Sequence, residues 1–450
     1  MSRESLPDVG IEALAAHIPR YYLDLGTLAR ANGVDPAKYQ VGLGCRRMAV
    51  PAPDEDPVVL AAGATARLFD AYRIDPANIG LLVVGTESGV DGAKPIAAYV
   101  HRMAGLPATC RAFDVQHACY GSTAALTIAA DWVAGGRSAG RKALVVAADI
   151  TRYDVGSPGE PTQGAGAVAL LVGPEPRVLR LERHPEAVHA EEVMDFWRPH
   201  YRDSALVDGH YSLECYLHAA ESCWRRYREG TRAGFPDFDF LLFHSPFPKM
   251  ARKAHRRLFD AAMRDGDVPA EADPAADFER RVLPSLWANA EIGNAYTASL
   301  YLSLAGLLEH RAVRCAGARI GLFSYGSGSC AEFLAARVGD DEAAWRGRTG
   351  LHELLDARRE LTHRTYLRFR KEQADLAHGG SLRPPLPHRG LAFCGTRDDR
   401  RVYRDAESTA APVASDVGGD SPAAAAVAPR RTRRVRNGGQ PAPAPPRRPC

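Results

Sequence analysis

Five strand-length runs, mostly apolar, constrain this chain more than any other feature: Ile79–Gly85, Phe113–Val115, Lys142–Ala148, Phe238–Phe243 and Ile320–Ser324. A run without in–out alternation predicts a strand covered on both faces. Each run ends in polar or small residues, and a helical pattern follows most of them. Such alternation predicts a layered α/β fold with helices on both sides of its sheets. The grammar also repeats. Ile79–Gly85 leads to Glu87 and then to the helix Pro95–Met103. Phe238–Phe243 leads to His244, Ser-Pro-Phe-Pro-Lys249 and the helix Met250–Phe259. Ile320–Ser324 leads to the loop Tyr325–Ser329 and an expected helix Cys330–Val338. It parallels Phe113–Val115, which leads to Cys119 and a helix from Gly121. An internal duplication follows from this pattern.

Other segments fill in the two halves. Gly10–Tyr22 reads as a strand with a proline-containing bend, and Leu23–Asn32 and Pro57–Tyr72 as amphipathic helices. Gly164-Ala165-Gly166 precedes the strand Ala167–Val172 and not a helix, so it is a tight turn and not a dinucleotide cradle. Gly350–Ala377 is helical and highly charged, and Leu391–Cys394 with Arg401–Tyr403 forms a terminal hairpin. The expected organisation is an N-terminal half over residues 1–173, a C-terminal half over 174–405, and a disordered Ala/Pro/Arg tail over 406–450.

Charge and cysteine content exclude several classes. The formal charge is +3, but seven arginines against Glu407, Asp416 and Asp420 put +4 on the tail, leaving −1 on residues 1–405. The folded part therefore gives no reason to expect a nucleic-acid partner. Nine cysteines are scattered without CxxC pairs or zinc spacing, so no metal is expected from them. No run approaches a membrane span, and the N-terminus lacks the pattern of a secretory signal. A cytoplasmic protein with reduced thiols is expected.

Chemistry-bearing residues sit where the strands end. Cys119 lies at a strand-to-helix junction, where backbone N–H groups and the helix dipole favour a thiolate and an oxyanion. Glu87, His244, Asn294 and the Ser327 loop lie at comparable places, and ligands of layered α/β folds gather there. A cysteine nucleophile splits acyl transfer into two steps through a thioester. A carboxyl in an apolar pocket can exchange protons with carbon and with an alkoxide. A histidine and an asparagine can address a carbonyl, and the N–H groups of Cys119 and Ser327 an oxyanion. Taken singly, each residue also fits a structural part: a buried cysteine, a turn cap, a core histidine, a helix N-cap.

The stretches GTESGVDGAKP (85–95), HACYGSTAAL (117–126), ALVVAADITRY (143–153), GEPTQGAGAVALLVG (159–173), VMDFWRP (193–199), LVDGHYS (206–212), FHSPFPKMARKAH (243–255), IGNAYTASLYLSL (292–304) and IGLFSYGSGSCAEF (320–333) carry a resemblance. In this order they resemble the 3-hydroxy-3-methylglutaryl-CoA synthases of the thiolase superfamily. The resemblance implies a thiolase-like five-layered αβαβα fold of two duplicated halves, a homodimer, and no metal or redox cofactor. It implies condensation of acetyl-CoA with acetoacetyl-CoA and water to HMG-CoA and CoA. In that reading Cys119 carries the acetyl group, Glu87 is the general acid/base, and His244 polarises the acceptor carbonyl. Asn294, Ser327, Tyr153, Asp149 and Thr162 line or support the acyl pocket, and Lys249 lies near the CoA arm. Two contexts fit: the mevalonate pathway with free CoA thioesters, or polyketide β-branching with thioesters on an acyl carrier protein.

Overall fold

The computed structural model describes residues 8–182, 186–380 and 390–405; the tail, 406–450, lies outside them. Its centre is a ten-stranded mixed sheet. The first half contributes, in spatial order, Arg111–Val115, Ile79–Gly85, Lys142–Ile150, Ala165–Gly173 and Gly10–His17. The short strand Leu179–Leu181 then joins Gly10 and Ile11 on one side to Ala336–Val338 on the other. Cys330–Val338, Arg319–Gly326 and Phe240–Phe243 complete the second half.

Three apolar clusters sort these strands into layers. Leu82, Val84, Leu144 and Val146 face the helices Pro57–Tyr72 and Ile96–Met103. Their neighbours Leu81, Val83, Ala143 and Val145 point the other way, onto Ala125 and Ala129 of the helix Gly121–Ala134 and Leu300 and Leu304 of the helix Ser299–Leu308. Ile320 and Leu322 of the second half enter the same cluster. Leu241, Phe243, Phe323 and Phe333 pack outward on Trp224 and Leu258 of the helices Gly209–Thr231 and Pro248–Arg264. Helix, sheet, paired helices, sheet and helix follow one another, which is a five-layered αβαβα arrangement. The absence of in–out alternation in the runs is explained: both faces are covered, at about 1.5–3 kcal/mol for each fully buried Val or Leu.

The halves repeat in topology. Ile79–Gly85 runs parallel to Lys142–Ile150, which turns back antiparallel as Ala165–Gly173. Phe240–Phe243 runs parallel to Arg319–Gly326, which turns back antiparallel as Cys330–Val338. Glu87 and His244 therefore follow equivalent strands. This corrects one expectation. Cys330–Val338 is a strand and not a helix, paired over eight positions from Gly326↔Cys330 to Arg319↔Arg337. Its Ala, Glu, Leu and Arg favour a helix, but the ladder and the burial of Ala331, Phe333 and Ala335 override that propensity. The Ser327 loop is thus a hairpin turn, equivalent to the turn after Ile150. The counterpart of the Cys119 helix is Ser299–Leu308, which follows Asn294.

Pro57–Tyr72 and Ile79–Gly85 have the bounds their periodicity predicts. The charged segment Gly350–Ala377 divides into helices Leu351–Asp356 and His363–Ala377, because Arg359 and Glu360 pair with Tyr21 and Tyr22 between them. Leu391–Arg397 and Arg400–Asp405 form the terminal hairpin. Among the described residues no helix is long and apolar enough to cross a membrane.

Candidate active site

Two tight contacts build the site. Gly85, which ends the strand before Glu87, packs so closely on the Cys119 helix that a Cβ there would lie 2.4 Å from the Ser122 Cα. Gly164 meets the Asn294 turn in the same way, with the Ile292 carbonyl 2.4 Å from its would-be Cβ. A side chain at Gly85 would push the Cys119 helix off its strand, and one at Gly164 would push the two halves apart.

Cys119 stands just ahead of the helix Gly121–Ala134, whose first turn has no side-chain cap. Tyr120 and Gly121 donate to the His117 carbonyl, and Ala118 adopts φ +35°. A left-handed alanine is strained and holds the turn in one shape. The Cys119 thiol faces the Glu87 carboxylate, Sγ to Oε2 3.9 Å. Glu87 is buried, and burial, with the Asp149 charge second, raises its pKa well above 4.5. Burial also pushes the Cys119 thiol well above its ordinary value, helped by the charges of Glu87, Asp149 and Asp195. This reverses the thiolate expectation. The helix end supplies only about half a positive charge, which burial beside carboxylates outweighs. The resting thiol keeps its proton, and Glu87 is the base placed to take it.

Asp149 organises the neighbourhood. It is fully buried and accepts from the Thr86 hydroxyl at 2.9 Å, the Glu87 N–H at 2.9 Å and the Thr297 N–H at 3.1 Å. Asn294 donates its N–H to the Thr162 carbonyl at 2.9 Å. Its side-chain oxygen accepts from the Tyr296 N–H and the Ser299 hydroxyl, which fixes the turn that leads into the helix Ser299–Leu308. Tyr153 is buried near Glu87 and Cys119, whose charges add to burial in raising its pKa. Its N–H is held by Gln163 at 2.7 Å and its carbonyl by Arg370 at 2.7 Å.

His244 donates its N–H to the Phe323 carbonyl and accepts from the Tyr216 hydroxyl at its own carbonyl. Its ring is buried, Nδ1 meets no partner, and burial lowers its pKa to about 3. It is a neutral imidazole. The Ser327 loop lies on the Cys119 turn: a Cβ at Gly326 would sit 2.7 Å from the Tyr120 nitrogen and 2.8 Å from the His117 ring. Lys249 stands apart. It is exposed and lines a cleft of about 750 Å³ with Arg46, Arg252 and Trp287.

Two residues without an assigned role in the sequence belong here. Asp195 is buried, accepts from the Tyr325 hydroxyl at 2.8 Å and the Gly328 N–H at 3.0 Å, and acts on Cys119. Arg198 donates to the Glu87 carbonyl oxygen and its charge opposes the rise in the Glu87 pKa. Both lie in VMDFWRP, whose mixture of aspartate, arginine and aromatics was the available signal.

Known proteins match this chain along almost all of its described length. The family model "Hydroxymethylglutaryl-coenzyme A synthase N terminal" matches residues 6–177, and its C-terminal companion matches 179–273 and 264–378. A hydroxymethylglutaryl-CoA synthase of Enterococcus faecalis is 39% identical over 398 residues, 88% of this chain and 100% of that protein. The solved structure of MvaS in complex with 3-hydroxy-3-methylglutaryl coenzyme A superposes with a TM-score of 0.82 at 45% identity, over 89% of this chain and 99% of that one. The HMG synthase of the curacin biosynthetic pathway, in complex with a holo donor-ACP, gives 0.81 at 33% identity, over 88% and 100%. With its thiolase-like fold and its matches over both halves, the chain belongs to the hydroxymethylglutaryl-CoA synthase family of Claisen-type acyl-CoA condensing enzymes.

Proposed function

We propose that the chain condenses acetyl-CoA with acetoacetyl-CoA and water to HMG-CoA and CoA, as the supply step of a mevalonate route. The 3.9 Å approach of the protonated Cys119 thiol to Glu87, whose raised pKa makes its carboxylate a stronger base than an ordinary glutamate, carries this reading. Glu87 takes the thiol proton as sulfur attacks acetyl-CoA, and CoA leaves as a thiol. Glu87, again a carboxylate, removes a methyl proton from the acetyl-Cys119 thioester. The resulting enolate attacks the ketone carbon of acetoacetyl-CoA, whose oxygen accepts from neutral His244. Glu87 returns its proton to the new alkoxide, and water then cleaves the thioester to free Cys119. Asn294, Ser327, Tyr153, Thr162 and Asp149 hold the pocket's shape. Lys249, with Arg46 and Arg252, presents positive charge to the CoA phosphates.

The higher identity to MvaS than to the curacin enzyme favours free CoA thioesters. The near-equal TM-scores favour a second reading, in which the same chemistry acts on carrier-bound groups for polyketide β-branching. Condensation assays with the acceptor on CoA and on carrier protein separate them. Efficient turnover with the carrier-bound acceptor only would overturn the first. The chain acts as a homodimer in this reading. Arg111–Val115 ends the sheet with its outer edge unpaired among the described residues and half-exposed, an edge that a second copy would cover. Light scattering that gives a monomer at assay concentration would refute that.

A further inference from the structure

Away from the acyl pocket, three side chains from two elements converge. His189 lies on the short strand Val188–Ala190, Glu191 follows it directly, and His218 projects from the helix Gly209–Thr231. One nitrogen of each imidazole and one Glu191 oxygen all lie within 4.8 Å of one another. His189 Nε2 is 3.6 Å from Glu191 Oε2, and the two rings meet edge to face at 5.1 Å. A tetrahedral zinc ion with ligands at 2.0–2.2 Å places neighbouring donor atoms about 3.4 Å apart. The His189–Glu191 pair already has that spacing. His218 and Glu191 are exposed, so small rotations complete the set.

The donor types narrow the ligand. Two imidazoles and one carboxylate suit Zn²⁺ and its transition-metal neighbours, whereas Mg²⁺ and Ca²⁺ prefer all-oxygen shells.

The place of the cluster gives it a consequence. The Glu191 N–H donates to the Ser329 carbonyl at 3.2 Å and its carbonyl accepts from the Ser329 N–H at 2.6 Å. The Val193 N–H donates to the Gly328 carbonyl at 2.8 Å. The segment that carries two ligands is therefore laced to the Ser327 loop, which lies on the Cys119 turn. We propose that His189, Glu191 and His218 form a divalent transition-metal site that takes Zn²⁺ and staples the Glu191–Val193 segment, and with it the glycine loop, to the Gly209–Thr231 helix. The site neither depends on the proposed reaction nor contributes to its chemistry.

Chelator-stripped full-length protein titrated with zinc chloride in a calorimeter tests this, with magnesium chloride as the control. One equivalent of zinc per chain is expected, and at least about tenfold weaker binding in both His218→Ala and His189→Gln. The His218→Ala variant changes an exposed position, and circular dichroism checks its fold. Cobalt(II) in place of zinc should give a visible spectrum without a thiolate charge-transfer band. Zinc should slow amide exchange at Val193 and Ser329 in the wild type and not in His218→Ala. Unsaturable binding, equal binding by the variants, or a thiolate band from Cys215 nearby would overturn the site. Unchanged exchange at Val193 and Ser329 would overturn the staple.

Discussion

The Asp149 carboxylate holds the backbone N–H of Glu87 at 2.9 Å, while its second oxygen holds Thr297, 148 residues further along the chain from Asp149 itself. One fully buried side chain thereby fixes the turn that carries Glu87 relative to the turn that follows Asn294. In Asp149→Asn the amide keeps one acceptor, and its NH₂ faces a donor. Turnover should fall by up to about a hundredfold from misplacement alone. The negative charge that raises the Glu87 pKa also disappears, so the Glu87 limb of the pH–rate profile should move to lower pH. A profile that keeps its position while kcat falls would assign Asp149 a purely structural role.

Glu87→Ala should separate the two halves of the reaction. Acetyl transfer to Cys119 loses its base but also the Glu87 charge that helps hold the thiol protonated, so mass spectrometry should still find the acetyl adduct, formed more slowly. Carbon–carbon bond formation needs a base at the methyl group and should drop by about 10²–10⁴. Normal condensation by this variant would refute the proposed mechanism.

Glu87 should also cost the protein stability at neutral pH. Its pKa is raised in the folded chain, so its stability contribution is complete below pH 4.5 and is lost as pH rises through the folded value. Every tenfold gain in proton affinity on folding corresponds to about 1.4 kcal/mol. Glu87→Gln cannot ionise. Thermal melts should show the variant gaining on the wild type as pH rises above 4.5, with no such trend below it. Parallel Tm curves at all pH values would contradict the assignment.

His244 has the opposite sign. Its pKa is lowered from 6.5 to about 3 by burial. The stability associated with its neutral form is complete above pH 6.5 and is lost as pH falls toward 3. Denaturant midpoints of His244→Gln should therefore fall less steeply on acidification than those of the wild type. In the same variant acetylation of Cys119 should persist, while the KM for acetoacetyl-CoA rises or condensation fails. Wild-type activity should show no limb near pH 6.5 that disappears with this histidine.

Much of the fold was legible because burial on both faces leaves a mark in composition. Ile79–Gly85 and residues 143–148 are apolar throughout since helices cover each side. Cys330–Val338 was not legible: its residues favour a helix, and only its ladder with Arg319–Gly326 makes it a strand. The same asymmetry holds at the site. Glu87, Cys119, His244 and Asn294 stand at strand ends and helix starts, positions that sequence marks. Asp195 and Arg198 come from a loop whose role depends on what it meets, Tyr325, Gly328 and Glu87.

The layered α/β class, the repeated strand–polar residue–helix units and the chemical types at their ends follow from local periodicity along the chain. Their electrostatic state and company come from packing between distant segments. The thiol of Cys119 is protonated because carboxylates 32, 30 and 76 residues away in sequence are packed around a part-buried sulfur. His189, Glu191 and His218 meet because a strand edge and a helix face are brought together. Charge and ligation act over ångströms through space, and distance along a chain does not encode them.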